Sequence, residues 1–226
     1  MNRRLAAATL LAALAGCHVG GPPETTGTGR VLILNGARSA GALRVYLDGQ
    51  AQGRIDLGNV GTIGQIGGSH TLEIRRGDNS ASHVRALDVD SFETVSLVVF
   101  DSVGVLTSYA LSDTGAIVPA GSSKLRVAHF AGAAPPIDVW RTQPGTPTPT
   151  RVVFPFAYLT ESAYVQSTSG VWRVMVSDTV PAATPSASIP DTLAITQPIS
   201  IPSGSSRTVV VIDGQPGGVY LIVLNP

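Results

Sequence analysis

Val31-Leu-Ile-Leu-Asn-Gly-Ala37 and Leu125-Arg-Val-Ala-His-Phe-Ala131 are two versions of one stretch, and setting one over the other decides the fold. The alignment continues without a gap and pairs Leu43, Val45 and Tyr46 with Ile137, Val139 and Trp140. Further along, Gly68 and Leu72-Glu-Ile74 fall opposite Gly170 and Val174-Met-Val176. Near the two ends, Val98-Val-Phe-Asp101 falls opposite Val210-Val-Ile-Asp213. A period of roughly 100 residues is too long for a solenoid, whose units run about 20–50 residues. It is the period of a duplicated domain.

Inside each copy the apolar residues alternate. Val31 and Ile33, then Leu43, Val45 and Leu47, then Leu72 and Ile74, each share one face of an extended segment, the signature of a half-buried strand. Asp48-Gly49, Gly67-Gly68, Arg76-Gly77-Asp78, Asp101-Ser-Val-Gly104 and Asp213-Gly-Gln-Pro-Gly217 interrupt these runs as turns. Long helical periods are missing. About seven short strands per copy predict two tandem all-β, antiparallel β-sandwich domains of immunoglobulin-like character. The expected division is 30–118 for the first domain, 119–123 for the linker and 124–226 for the second. Two insertions in the second copy, Thr142–Thr150 and Asp178–Gln197, are rich in proline, threonine, serine and alanine and read as exposed loops.

The other end of the argument is the N-terminus. Arg3-Arg4 precedes an alanine- and leucine-rich run too short to span a bilayer, which ends in Leu14-Ala15-Gly16-Cys17. These last four residues resemble the bacterial lipobox. Residues 1–16 are therefore expected to be a signal peptide, with Cys17 lipidated as the first residue of the mature chain. Two or three acyl chains give stable anchoring, whereas one binds only marginally. Residues 17–29 would be the lipidated tether, and His18 in place of aspartate permits sorting to the outer membrane rather than the inner. Cys17 is the only cysteine, so its acylation leaves no disulfide within the chain.

Charge excludes one class of partner. Without Arg3 and Arg4, 13 basic residues stand against 15 acidic ones, a net charge of −2. Nucleic acid needs a basic stripe to neutralise phosphates, and none is present. The expected partners are the membrane, through the N-terminal lipid, and an envelope protein or polysaccharide.

His129 and Asp138 are the pair in which chemistry would first be sought, since a carboxylate-oriented histidine is half of a hydrolytic triad. No Gly-x-Ser-x-Gly nucleophile elbow accompanies them. The first copy has Asn35 and Arg44 at the two positions, so the expectation is structural: His129 bonds the proline turn and Asp138 satisfies backbone N–H groups there. His18, His70, His83 and His129 are scattered without a second ligand at zinc-like spacing, and no metal or cofactor is expected. Asp88-Val-Asp90 lacks the wider acidic loop that calcium requires. Arg76-Gly77-Asp78 is an Arg-Gly-Asp triplet in a hairpin turn, read as coincidence. Trp140, Tyr158, Tyr164 and Trp172 are the aromatics that could contact a sugar, against the competing use of large rings in sandwich cores.

Leu125-Arg-Val-Ala-His129, Pro135-Pro-Ile-Asp-Val139, Tyr164 ahead of Gly170, and Thr208-Val-Val-Val211 together resemble the family known as domain of unknown function 4397. The resemblance is strongest over 124–226 and loose over 30–118. It implies secreted or surface bacterial proteins with β-rich domains and no assigned activity. The functional expectation is a non-catalytic, envelope-anchored lipoprotein with a binding or structural role. The alternatives are a carbohydrate- or polymer-binding module and, behind it, a hydrolase using His129.

Overall fold

The computed structural model describes residues 28–111, 118–142, 148–179, 192–214 and 218–226. The expected signal peptide, Cys17 and nearly all of the expected tether lie outside the described residues, as does much of both insertions.

The first copy has eight strands: β1 (Gly29–Asn35), β2 (Leu43–Leu47), β3 (Gln50–Ile55), β4 (Val60–Ile66), β5 (Gly68–Arg76), β6 (Ser82–Val89), β7 (Thr94–Ser102) and β8 (Val105–Leu111). They form two sheets, in the orders β4-β1-β7-β8 and β3-β2-β5-β6. Val31, Ile33, Leu43, Val45, Leu72 and Ile74 point into the space between the sheets and form the first core. Asp48 and Gly49 both take positive φ, 49° and 78°, as a two-residue hairpin of the Asp-Gly kind requires.

The second copy repeats the plan with β9 (Ser122–Phe130), β10 (Ile137–Thr142), β11 (Thr150–Phe156), β12 (Thr160–Glu161), β13 (Val165–Thr168), β14 (Gly170–Asp178), β15 (Thr192–Ile195), β16 (Ile199–Ile201), β17 (Ser206–Asp213) and β18 (Val219–Leu224). Here β12 and β13 share the place that β4 holds in the first copy, both pairing with β9. Ile137, Val139, Val174, Val176, Val209 and Val211 lie in the second core. The all-β sandwich expected from the alternation is the fold.

The second insertion, expected as an exposed loop, carries the strand β15, which pairs with β14, and three further details differ from the expectation. The pairing is not antiparallel throughout: β1 runs parallel to β7, and β9 to β17. The reason is the route of the chain, since β7 re-enters its sheet at the end where β1 begins. Arg30 N–H donates there to the Glu93 carbonyl at 2.9 Å. The strand order also departs from the immunoglobulin one, in which the first two strands share a sheet; here β1 and β2 lie in opposite sheets. Finally, Ser122 and Ser123 of the expected linker already belong to β9.

A third apolar cluster joins the copies. It draws on Leu34, Val98, Phe100 and Leu111 from the first and on Ala128, Val210, Ile212 and Leu224 from the second. These are the same positions in the two copies, so the sheets of β1 and β9 pack outer face to outer face as an internal pseudo-twofold, self-complementary contact. Phe130 fills its centre, 5.2 Å from the Phe100 ring and 5.3 Å from Tyr109, centroid to centroid. The backbone comes close as well: a Cβ on Gly36 would lie 2.8 Å from Ile212 Cγ2. Central strands such as β1 and β17 are thus buried on both faces. That is why Val31–Leu34 and Val209–Ile212 are unbroken apolar runs rather than alternating ones.

Candidate functional site

At the far end of β1 from the tether, a loop follows the first strand of each copy, and the same two devices hold it. Asn35 Oδ1 accepts the Ala37 N–H at 3.0 Å, and Asn35 Nδ2 donates to the Gly41 and Ile55 carbonyls at 2.7 and 2.9 Å. In the second copy His129 Nδ1 accepts the Ala131 N–H at 3.3 Å, and His129 Nε2 lies 3.4 Å from the Pro135 carbonyl. A donating N–H and an accepting carbonyl thus sit two and six residues along in both copies. This places the ring proton on Nε2, because Nδ1 faces an N–H and Nε2 a carbonyl.

The second device is a carboxylate. Asp213 accepts the Gly132 and Ala133 N–H groups at 3.1 and 3.0 Å. Its counterpart Asp101 accepts the Ser39 N–H at 2.8 Å and pairs with the Arg76 guanidinium at 2.7 Å. Between the copies, Gly36, Arg38, Ser39, Asp101 and Asp213 line an open cleft of about 290 Å³. Tyr158 belongs to the same neighbourhood. Burial pushes its hydroxyl pKa up, and the charges of Asp213 and Asp101 add to the shift.

His129 is fully buried, stacked beside Phe156 and edged by Tyr158. Burial pushes its pKa below the ordinary 6.5, against the pull of the Pro135 carbonyl and the Asp213 charge. Both ring nitrogens face backbone groups. A general base needs a free lone pair within reach of a substrate proton, and the Nδ1 lone pair is directed at the Ala131 N–H.

Asp138 has a partner across the sheet. It is fully buried on β10 and pairs with the Arg151 guanidinium of β11. That guanidinium also lies 4.1 Å from the centre of the Phe154 ring and 5.6 Å from that of Trp140. Arg151 lies opposite Trp140, two residues along the same face from Asp138, so its long side chain reaches the carboxylate diagonally.

Of the four aromatics, Trp140 is closed to a sugar. Trp140 is fully buried and donates its indole N–H to Ser177 at 2.9 Å. Tyr164 covers the Arg126 guanidinium, and Trp172 covers that of Arg141 while donating to the Thr168 carbonyl. Tyr158 backs His129 and the Gly132 turn. Trp140 is core, whereas Tyr158, Tyr164 and Trp172 are half-buried, each with a partner on one side.

The remaining motifs resolve locally. Arg76 of the Arg-Gly-Asp triplet is held by Asp101 and by Ser39 Oγ, and Asp78 accepts from Ser80. Asp88 accepts from Ser69, and His70 bonds Asp48 at 2.7 Å. Among the described residues no three His, Cys, Asp or Glu side chains group as metal ligands, and no helix is long and apolar enough to cross a membrane. The loop devices escaped sequence reasoning in part: Asp101 and Asp213 were read only as turn formers. The recurrence of Val-Val-x-Asp in both copies was the signal that they do one job.

Residues 29–140 match the family model described as Domain of unknown function (DUF4397), and this stretch, just under half of the chain, resembles that family. The match covers the first copy and ends in β10, whereas the motifs had pointed most strongly to 124–226. The duplication explains why either copy can present the family's strand frame. No curated protein matches the chain. Among solved structures it is similar to the Bacillus anthracis TIE protein, at 12% identity over 83% of this chain and 34% of that one, with a TM-score of 0.25. A leucine-rich repeat protein from Bacteroides thetaiotaomicron VPI-5482 is similar at 10% identity, 82% and 26% coverage, and a TM-score of 0.22. The chain spans about a third and a quarter of the lengths of these two proteins. At such TM-scores the likeness carries no argument.

Proposed function

We propose that this chain is a non-catalytic, lipid-anchored protein of the bacterial cell envelope, held at the outer membrane through Cys17. Its double sandwich would present the loop end to an envelope protein or polysaccharide. The observation that carries the non-catalytic reading is the equivalence of His129 and Asn35. A residue that does the work of an asparagine, with both ring nitrogens turned to backbone groups, has a complete structural explanation. The seam between the copies supports a scaffold role, since it holds two loop ends side by side across one cleft.

The test has two parts. Cys17→Ser should move the protein from the membrane fraction to the soluble one, and continued membrane association would sink the anchor. Model esters and peptides should show no turnover that His129→Asn abolishes. A robust His129-dependent turnover would overturn the non-enzymatic reading. A pull-down from envelope extracts with the cysteine-free mature chain would then identify the partner.

A further inference from the structure

The turn before β7 holds an exposed aromatic ring in a backbone conformation that disfavours it. Glu93 N–H donates to the Asp90 carbonyl at 3.1 Å and closes the turn Asp90-Ser91-Phe92-Glu93. The Glu93 carboxylate reaches back to the Asp90 N–H at 2.9 Å. Phe92 occupies the third position with φ 63°, where glycine or asparagine is the unstrained choice. Its ring gains no burial in return, since the residue is 78% exposed. Val103, at the opposite end of β7, is likewise exposed at positive φ (49°), so position and not strain distinguishes Phe92.

The position of the turn says which role. A Cβ on Gly29 would lie 2.5 Å from Val89 Cγ1, 2.7 Å from the Asp90 carbonyl oxygen and 2.8 Å from that of Glu93. The chain therefore enters the first sandwich pressed against this turn, and Arg30 N–H secures it to the Glu93 carbonyl. Cys17 precedes Thr28 by 11 residues, a length that reaches at most about 40 Å. The bilayer is within reach of this end of the molecule. The inter-copy cleft is at the other end, beyond the nine residues of β7.

We propose that Phe92 is a membrane contact: its ring enters the interfacial layer of the bilayer that holds the acylated Cys17. This rests on the anchored reading above. An acyl anchor on a tether leaves orientation free, and a second, rigid contact at the same end fixes it. Phenylalanine, like tryptophan and leucine, supplies the apolar side of segments that lie in that layer. The molecule then stands with β7 pointing away from the membrane and the cleft outermost. Asp90 and Glu93 flank the ring, so zwitterionic lipid is the matching surface.

The test uses the full acylated protein, purified in detergent and reconstituted into phosphatidylcholine vesicles with or without brominated acyl chains. Phe92→Trp is compared with Val103→Trp, because Val103 is fully exposed at the far end of β7. The wild-type signal from Trp140 and Trp172 is subtracted. The expected result is blue-shifted, bromine-quenched emission from Phe92→Trp and neither effect from Val103→Trp. Equal quenching at both positions, or none at Phe92→Trp, overturns the assignment, including the case in which Phe92 docks a protein. The mass of the N-terminal peptide keeps the two readings apart. An unacylated Cys17 overturns the anchor and the contact together, and an acylated one with no quenching overturns the contact alone.

Discussion

Asn35 and His129 hold equivalent loops with different atoms. In each, one acceptor takes the N–H two residues on and one donor faces the carbonyl six residues on. An amide and an imidazole can exchange places here because both carry an acceptor and a donor on a rigid planar group. The equivalence makes the second copy's histidine testable by the first copy's solution.

His129→Asn should keep the fold and lose less stability than His129→Ala. The alanine variant leaves the buried Ala131 N–H and the Pro135 carbonyl unanswered, which costs about 1–3 kcal/mol. Asn35→Ala should cost a similar amount. Urea unfolding of the three variants measures the differences, and an asparagine variant as unstable as the alanine one would refute the equivalence.

Acid should expose the same histidine. Burial depresses the His129 pKa below 6.5, so between that depressed value and 6.5 the unfolded chain binds the extra proton. Stability must therefore fall as pH drops through this window and be unaffected above it. His83 is shifted in the same direction by burial. His70, raised by Asp48 at the surface, contributes the opposite way: its stabilisation is present below 6.5 and is lost as pH rises through the raised value. Subtracting the stability–pH curve of His129→Asn from that of the wild type isolates the His129 part, and the difference should grow toward acid.

The Asp138–Arg151 pair should be intolerant of half-removal. Arg151→Ala takes the guanidinium from a fully buried carboxylate, and breaking a buried pair from one side costs about 3–5 kcal/mol. The double variant Asp138→Leu with Arg151→Met should recover much of that loss, because it removes both charges. Denaturant midpoints of the single and double variants decide the matter.

The seam predicts coupled unfolding. Phe130 packs against Phe100 and Tyr109 across the copies, and Phe130→Ala opens a cavity worth about 3–5 kcal/mol. Calorimetry should show one transition in the wild type and a broadened or split one in the variant. Fragments 30–118 and 124–226, each expected to be β-rich alone, would expose the seam and should associate when mixed. Ultracentrifugation tests that association.

Strand identity, turn positions and the duplication itself were determined by the sequence alone. They rest on local chemistry: Leu43-x-Val45-x-Leu47 marks one face of an extended chain wherever it lies, and Asp48-Gly49 turns it. In β1 the alternation of Val31 and Ile33 announced one covered face; that Leu34 is covered on the other side came only from the structure. Tertiary structure decided the cover, because apolar periodicity specifies that a face must leave water and says nothing of its partner. Only packing could set β1 parallel to β7, pair Asp138 with Arg151, bury Trp140, and bring Asp101 and Asp213 to one cleft. Each of those outcomes joins residues distant in the chain, and their contact depends on how whole sheets stack rather than on any local sequence.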